Sequence, residues 1–385
     1  MSGRRLPLTA AGLALLAVVG LGIAGGAGAR PRRPPHIKHV FIIVLENESA
    51  GTTFGPNTPT PYLARKLRAK GELLPNYYGI AHNSNPNYLA MVSGQAPNLS
   101  TQLDCQTFSD FAPGTAAGGG QYLGQGCVYP PGVETVANQL DDAGFRWRGY
   151  MQDSDNNARP GGQAPCRHPA VGSPDPWQHA ARGDQYATRH NPFVYFHSII
   201  DFPTCRHNDV DLSHLNHDLK REPRTPNYSF IVPNLCNDGH DAPCVNGKPG
   251  GLASANGFLR RRVPKILHSP AYRDRGLLLI TFDEAEALGS DADSSACCGE
   301  RPGPNVIPPN TPGFVTPGAG GGRIGAVLLS PCIKPGAVER TPYNHYSLLR
   351  WVEKDFGLPR LGYAGAPGLR AFDSKVLNRP SCGAR

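Results

Sequence analysis

The sequence predicts an α/β fold with a mostly parallel central sheet and helices on both faces. Three observations predict it. Short apolar runs rich in β-branched residues, HVFIIVL and GLLLITF above all, alternate with helical patterns along the chain. These runs are continuous rather than alternating, as in strands buried on both faces. Glycine and proline number 46 and 39 among 385 residues, which fits long loops around a scaffold and excludes a simple helical bundle.

Residues 1–29 read as an export signal: MSGRR is a basic start, LALLAVVGLGIA an apolar stretch, and Ala27-Gly28-Ala29 a small-residue cleavage site. A retained anchor is the competing reading. Arg4-Arg5 loosely suggests twin-arginine export. A Pro/Arg-rich linker occupies 30–38, and a single domain is expected over 39–385. Its first strand, HVFIIVLEN, ends in Glu46-Asn47. TPYLARKLRAKG follows as a helix with Leu63 and Leu67 on one face and Gly71 as its stop. In NSNPNYLAMVSG, Asn85 suits a cap and Pro86 a first helical turn, which places Ser84 just before a helix. VETVANQLDDAG predicts a helix, FRWRGYMQ a strand and NYSFIVPN another. GLLLITFDE is the clearest second buried strand and ends in Asp283-Glu284. RIGAVLLSP is a further strand, and residues 285–322, rich in Gly, Pro, Ser and Asp, read as a surface insertion. NHYSLLRWVEKDFGLP is a helix capped by Asn344, with Leu348, Leu349, Val352 and Phe356 inward and Gly357 at its end.

All ten cysteines follow the signal, and an even number in an exported chain points to disulfides. Cys105–Cys127 and Cys236–Cys244 are expected as local bridges, while adjacent Cys297 and Cys298 are expected to bond to two different partners. Losing residues 1–29 removes two arginines and lowers the formal charge from +8 to +6. A mildly basic surface favours anionic substrates or envelopes.

Glu46-Asn47 and Asp283-Glu284 lie where two buried strands end, the edge at which open α/β sheets bind ligands. Carboxylates beside apolar strands need a cation or donors. Their convergence suggests a divalent metal with hard oxygen ligands: Ca²⁺, Mg²⁺ or Mn²⁺, or Zn²⁺ if a histidine joins. Ser84, before a helix N-terminus and beside such a metal, is a candidate nucleophile; by local sequence alone it is an ordinary turn residue. His82, His190, His240 and His345 sit in polar motifs suited to phosphate binding, proton transfer or ligation, and Asp238 and Asp241 can orient His240. Asn87, in the same NPNY stretch as Ser84, is a candidate substrate contact. There is no G-x-S-x-G elbow, no H-E-x-x-H, no Cys-x-Pro-x-Arg, and GTAAGGGQ lacks the Lys-Ser/Thr of a P-loop.

In the order VLENES, HNSNPNYLAMVSG, RHNPFVYF, FIVPNLCNDGHD, ITFDE and NHYSLLRWVEKDFGLP, the chain resembles the bacterial phosphoesterase family of secreted acid phosphatases and phospholipases C. The resemblance runs from about His39 to Gly362. It implies an alkaline-phosphatase-like sandwich with disulfide-stapled loops. It implies metal ligation by Glu46, Asn47, Ser84, Asp283 and Glu284, with Ser84 as nucleophile, and places His190, His240 and His345 around the phosphate. The implied activity is phosphomonoester hydrolysis, phosphoinositides included, through a phosphoserine. A phospholipase C-type phosphodiesterase and a non-catalytic binder of anionic envelope ligands are the alternatives. Peripheral contact with a lipid surface is compatible with the resemblance, no nucleic-acid partner is expected, and the oligomeric state is open. Two departures stand out: Asn83 where the family commonly has proline, and Glu48 where many relatives have arginine.

Overall fold

In the computed structural model the described residues are 35–156, 165–306, 320–379 and 381–382. Residues 1–29, expected as an export signal, and residues 30–34 of the expected linker lie outside them. Eight strands form the main sheet: β1 (His39–Leu45), β2 (Glu72–Leu74), β3 (Trp147–Met151), β4 (Asp209–Asp211), β5 (Tyr228–Val232), β6 (Gly276–Phe282), β7 (Ala326–Leu329) and β8 (Ala337–Val338). Their spatial order is β8-β2-β7-β6-β1-β5-β3-β4. The five strands from β6 to β4 are mutually parallel, and β7 alone runs antiparallel to both neighbours. Every residue of β1, β5 and β6 is buried, which is why these strands read as unbroken apolar runs.

Four helices matter to the site. α1 (Ser84–Ser93) is buried along its whole length. α2 is Val136–Asp142, shorter than its sequence pattern. α3 (Gly251–Leu267) was not anticipated: it opens on glycines and carries Pro264 inside. α4 (His345–Phe356) is capped by the Asn344 side chain and closed by Gly357 in the left-handed region, as expected. Leu348, Leu349, Val352 and Phe356 are buried there. The helix expected over TPYLARKLRAKG is present as a π-helical stretch, Tyr62–Leu67, running into Arg68–Lys70.

Five disulfides join the described cysteines. Cys105–Cys127 and Cys236–Cys244 pair as expected, and Cys166–Cys205 and Cys332–Cys382 add two longer bridges. The expectation for the adjacent cysteines is corrected: Cys297 bonds to Cys298. The other eight are already matched at Cα separations of 4.2–6.0 Å, which leaves the neighbours only each other. The insertion after β6 is tied down at its two ends. Gly322 accepts the Gly79 amide at 2.9 Å, and Gly321 accepts the Ala285 amide at 2.8 Å. A Cβ at Gly79 would meet the Asp283 and Gly321 carbonyls at 2.8 and 2.9 Å, so only glycine lets the serine-bearing loop approach β6 this closely.

Candidate active site

β1, β5 and β6 end at one edge of the sheet, and backbone bonds beyond the strands hold their loops together. The Glu46 amide donates to the Asp238 carbonyl at 3.1 Å, and the Asp283 amide to the Leu45 carbonyl at 2.9 Å. Asn47 turns sharply, at φ 53°, and its amide donates to Asp283 Oδ1 at 3.1 Å. The serine-bearing loop closes over this edge. Asn83 is the N-cap, at φ 71°, so Ser84 is the first residue of α1 rather than the residue before it.

Ser84 Oγ donates to Glu46 Oε2 at 2.8 Å, and Tyr88, one turn along α1, donates from its hydroxyl to Glu46 Oε1 at 2.5 Å. The Tyr88 ring stacks on His190, with centroids 5.2 Å apart and planes 12° from parallel. His190 stands between two acids, Nε2 at 3.4 Å from Glu46 Oε2 and Nδ1 at 3.3 Å from Asp238 Oδ2. Glu46, His190 and Asp238 thus bring ligand-type atoms within 4.8 Å of one another.

Burial dominates the electrostatics of this cluster. Burial, with Asp283 and Asp238 adding repulsion, pushes the Glu46 carboxyl well above the usual range. Burial pushes Asp238 well up too, and Asp283 to about 6. It also drives His190 well below the usual histidine value, so the ring is neutral. Both His190 nitrogens, Asp238 Oδ2 and Asp283 Oδ2 are buried without a hydrogen-bond partner. Four orphaned polar atoms converging with Glu46 and Ser84 fit a divalent cation of mixed oxygen and imidazole preference. The second cluster of this kind, Cys166, Cys205 and Asp209, has its sulfurs tied in a disulfide and does not fit one.

The remaining expected residues fall around this centre in different ways. Glu284 pairs with His82, Oε2 to Nδ1 at 2.6 Å, and His82 Nε2 lies 2.8 Å from Ser294 Oγ on the insertion. His345 is fully buried: Nε2 is 2.6 Å from the Asp283 carbonyl and Nδ1 is 3.2 Å from the Tyr77 hydroxyl. Burial pulls it to about 4, and with both nitrogens engaged it positions the β6 end. Asn87 spends its amide on the loop backbone, accepting from Ile80 and Ala81 and donating to the Ala81 and Asn83 carbonyls at 2.7–3.2 Å. His240 is partly exposed, and its Nδ1 lies 2.8 Å from Asp241 Oδ1, the orientation the sequence suggests.

Sequence reasoning missed Tyr88, Arg189 and Asp104, and took Asp238 only as an orienter. Arg189 precedes His190 in RHNPF; it is 3% exposed, and its Nη2 donates to His240 Nε2 at 2.9 Å. Asp104 occupies the start of α1: its Oδ1 accepts the Asn85 amide at 2.9 Å. A carboxylate of the chain itself answers the positive end of the helix, with Arg189 Nε 3.7 Å from its other oxygen. No local pattern around LDCQ announces this contact.

A protein in the alkaline phosphatase superfamily from Vibrio parahaemolyticus superposes at a TM-score of 0.50 over 91% of this chain and 72% of its own, at 11% identity, a likeness of fold. The chain belongs to the Phosphoesterase family, matched over residues 57–359. A probable acid phosphatase of Kluyveromyces lactis is 25% identical over 328 residues, covering 84% of this chain and 59% of the relative. The phosphatidylinositol-3-phosphatase of Mycobacterium tuberculosis is 26% identical over 330 residues, covering 86% and 80%. Phospholipase C A of the same species is 30% identical over 155 residues, 36% of this chain and 26% of its own. Among the described residues no helix is long and apolar enough to cross a membrane.

Proposed function

We propose that the protein is an exported, divalent-metal-dependent phosphomonoesterase with Ser84 as its nucleophile. The observation that carries the reading is the Ser84–Glu46 hydrogen bond inside a buried cluster with four orphaned ligand atoms. Glu46, His190, Asp238 and Asp283 would hold the metal, with Asn47 and Ser84 at its border. When bound, the cation neutralises phosphate charge and lowers the pKa of the serine hydroxyl.

The chain's own groups account for the rest. Tyr88, stacked on His190, and Ser84 both donate to the Glu46 carboxyl, which fixes where Ser84 Oγ points. The serine proton lies on the hydrogen bond to Glu46. Oγ attacks phosphorus in line, the bond to the leaving oxygen breaks, and a phosphoserine forms. His240, partly exposed, spends Nε2 on Arg189 and Nδ1 on Asp241, and His345 is locked between the Asp283 carbonyl and Tyr77. The leaving oxygen therefore takes its proton from water, with His240 holding Arg189 in place. Water then attacks the phosphoserine, releasing phosphate and returning a proton to Ser84. Phosphoinositides are the substrate class suggested by the mycobacterial phosphatidylinositol-3-phosphatase.

Ser84→Ala, assayed on p-nitrophenyl phosphate with saturating metal, should lose at least about a thousandfold in turnover, the scale expected when a nucleophile is removed. Near wild-type turnover would sink the assignment. Phosphodiester hydrolysis is the second reading, favoured by the phospholipase C relative. Faster turnover of bis-p-nitrophenyl phosphate than of the monoester would select it.

A further inference from the structure

The active-site loops do not account for the protein's excess positive charge, and one place away from them gathers much of it. Along the outer side of α4, the helix and the chain that follows it enclose an open groove of about 580 Å³. Arg350 and Lys354, one turn apart on α4, line it with Arg360, Arg370 and Lys375, against a single lining acid, Asp373. Of these cations only Arg360 has an ion-pair partner within 4 Å among the described residues, Glu353 Oε2 at 3.3 Å. Arg350 is held by backbone instead, Nη1 donating to the Ala364 and Ala366 carbonyls at 2.7 and 3.3 Å. Glu339 and Asp355 influence Lys375 and Lys354 only from beyond ion-pair distance. Four positive charges are therefore left facing one wall acid in a concave surface.

We propose that this groove binds a linear, phosphate-bearing polyanion, at a site separate from the proposed phosphoester chemistry. The lining narrows the ligand class. Among the described residues no exposed large hydrophobic side chain borders the groove, so nothing described there would insert into a lipid surface. Its aromatic residue, Tyr343, is 1% exposed and offers no face on which a nucleotide base could stack. What remains is repeated charge on a chain without bases or acyl groups. The pinned Arg350 and Arg360 pre-set the path, and the exposed Lys354, Arg370 and Lys375 supply adaptable contacts.

The test is anisotropy of end-labelled inorganic polyphosphate with the full chain, across a salt series. Three to four contacts predict that log K falls with log salt at a slope of roughly −2 to −3. K354E/R370E/K375E, all exposed positions, should weaken binding by about tenfold or more, with an unchanged circular dichroism melt and unchanged p-nitrophenyl phosphate turnover. Orthophosphate compared with chloride at matched ionic strength separates the two sites: displacement by orthophosphate beyond the chloride control would place the polymer in the active site and overturn the groove. Equal binding by the triple variant would overturn it too, as would tighter binding to phosphatidylglycerol vesicles or to an oligothymidylate than to polyphosphate. Loss of monoesterase activity in the wild type would refute the proposed function and leave this result standing.

Discussion

Tyr88→Phe isolates one hydrogen bond at the centre of the site. The ring keeps its stack on His190 and its buried volume, and only the hydroxyl that reaches Glu46 Oε1 at 2.5 Å is lost. Glu46 is wholly buried and has two side-chain donors, Ser84 and Tyr88, so half of its direct hydrogen-bond support disappears. A hydrogen bond to a charged group contributes about 1.5–3 kcal/mol, and groups that orient metal ligands typically carry about 10–100-fold in metal affinity. These agree, since 10–100-fold corresponds to about 1.4–2.7 kcal/mol. The half-saturating metal concentration for p-nitrophenyl phosphate hydrolysis should therefore rise about 10–100-fold, while turnover at saturating metal stays within a few-fold of wild type. Calorimetric titration of the metal-stripped proteins with Mn²⁺ provides the same comparison without activity. An unshifted metal dependence would refute the placement of Glu46 as a ligand held by Tyr88. Turnover lost even at saturating metal would mean that the hydroxyl takes part in the chemistry instead.

Two further expectations concern stability. Burial raises Asp209, Glu353 and Asp355 to about 7, so the unfolded chain gives up these protons first. His197, raised by Asp110 and Asp201 against its burial, is held protonated in the fold. Both effects stabilise the fold on the acid side and are lost as pH rises, so the Tm of metal-stripped protein should fall between pH 5 and 7.5; a flat or rising Tm would contradict the buried carboxyls. Cys236→Ser/Cys244→Ser opens a short loop and should cost about 2–3 kcal/mol by loop entropy. Because that loop carries Asp238 and His240, it should also raise the metal requirement, whereas Cys332→Ser/Cys382→Ser should lower Tm alone. Equal metal dependence in the two variants would show that the short bridge does not organise the site.

The parallel core was legible because its strands are long and buried on both faces: β1 and β6 need no partner information to be recognised. β2, β4 and β8 are two or three residues each, too short to carry a period, and their pairing is set by neighbours distant in sequence. α3 escaped because its glycines and Pro264 carry the local signs of a loop while tertiary packing of Leu252, Phe258, Leu259 and Val263 decides otherwise. In the site, residues ending long strands were visible, since the strand itself points to them. Arg189, Asp104 and Tyr88 act through contacts across 19 to 85 positions of sequence, with Asp104 to Asn85 at the short end and Arg189 to Asp104 at the long end, and no spacing rule reaches that far. His345 and Asn87 show the converse: polar residues in a suggestive motif whose side chains serve the backbone.

The chemistry rests on loops, and loops are ordinarily the mobile part of a domain. Here each one is tied down by a different means. The β1 and β6 loops continue the ladder through Glu46–Asp238 and Asp283–Leu45 backbone bonds. The β5 loop is closed by Cys236–Cys244, and the segment leading from α1 to the Asp104 contact by Cys105–Cys127. The serine loop is sewn by Asn87, whose amide spans Ile80 to Asn83. That last arrangement bears on Asn83, the position where proline is common in relatives: its Nδ2 donates to the Gln102 carbonyl, and Asn87 holds its own carbonyl at 2.9 Å. Two hydrogen bonds thus fix Asn83 at φ 71°, a left-handed value that a proline ring, locked at about −65°, cannot take. The serine loop of this chain is held by a polar route, on a backbone conformation that excludes proline at position 83.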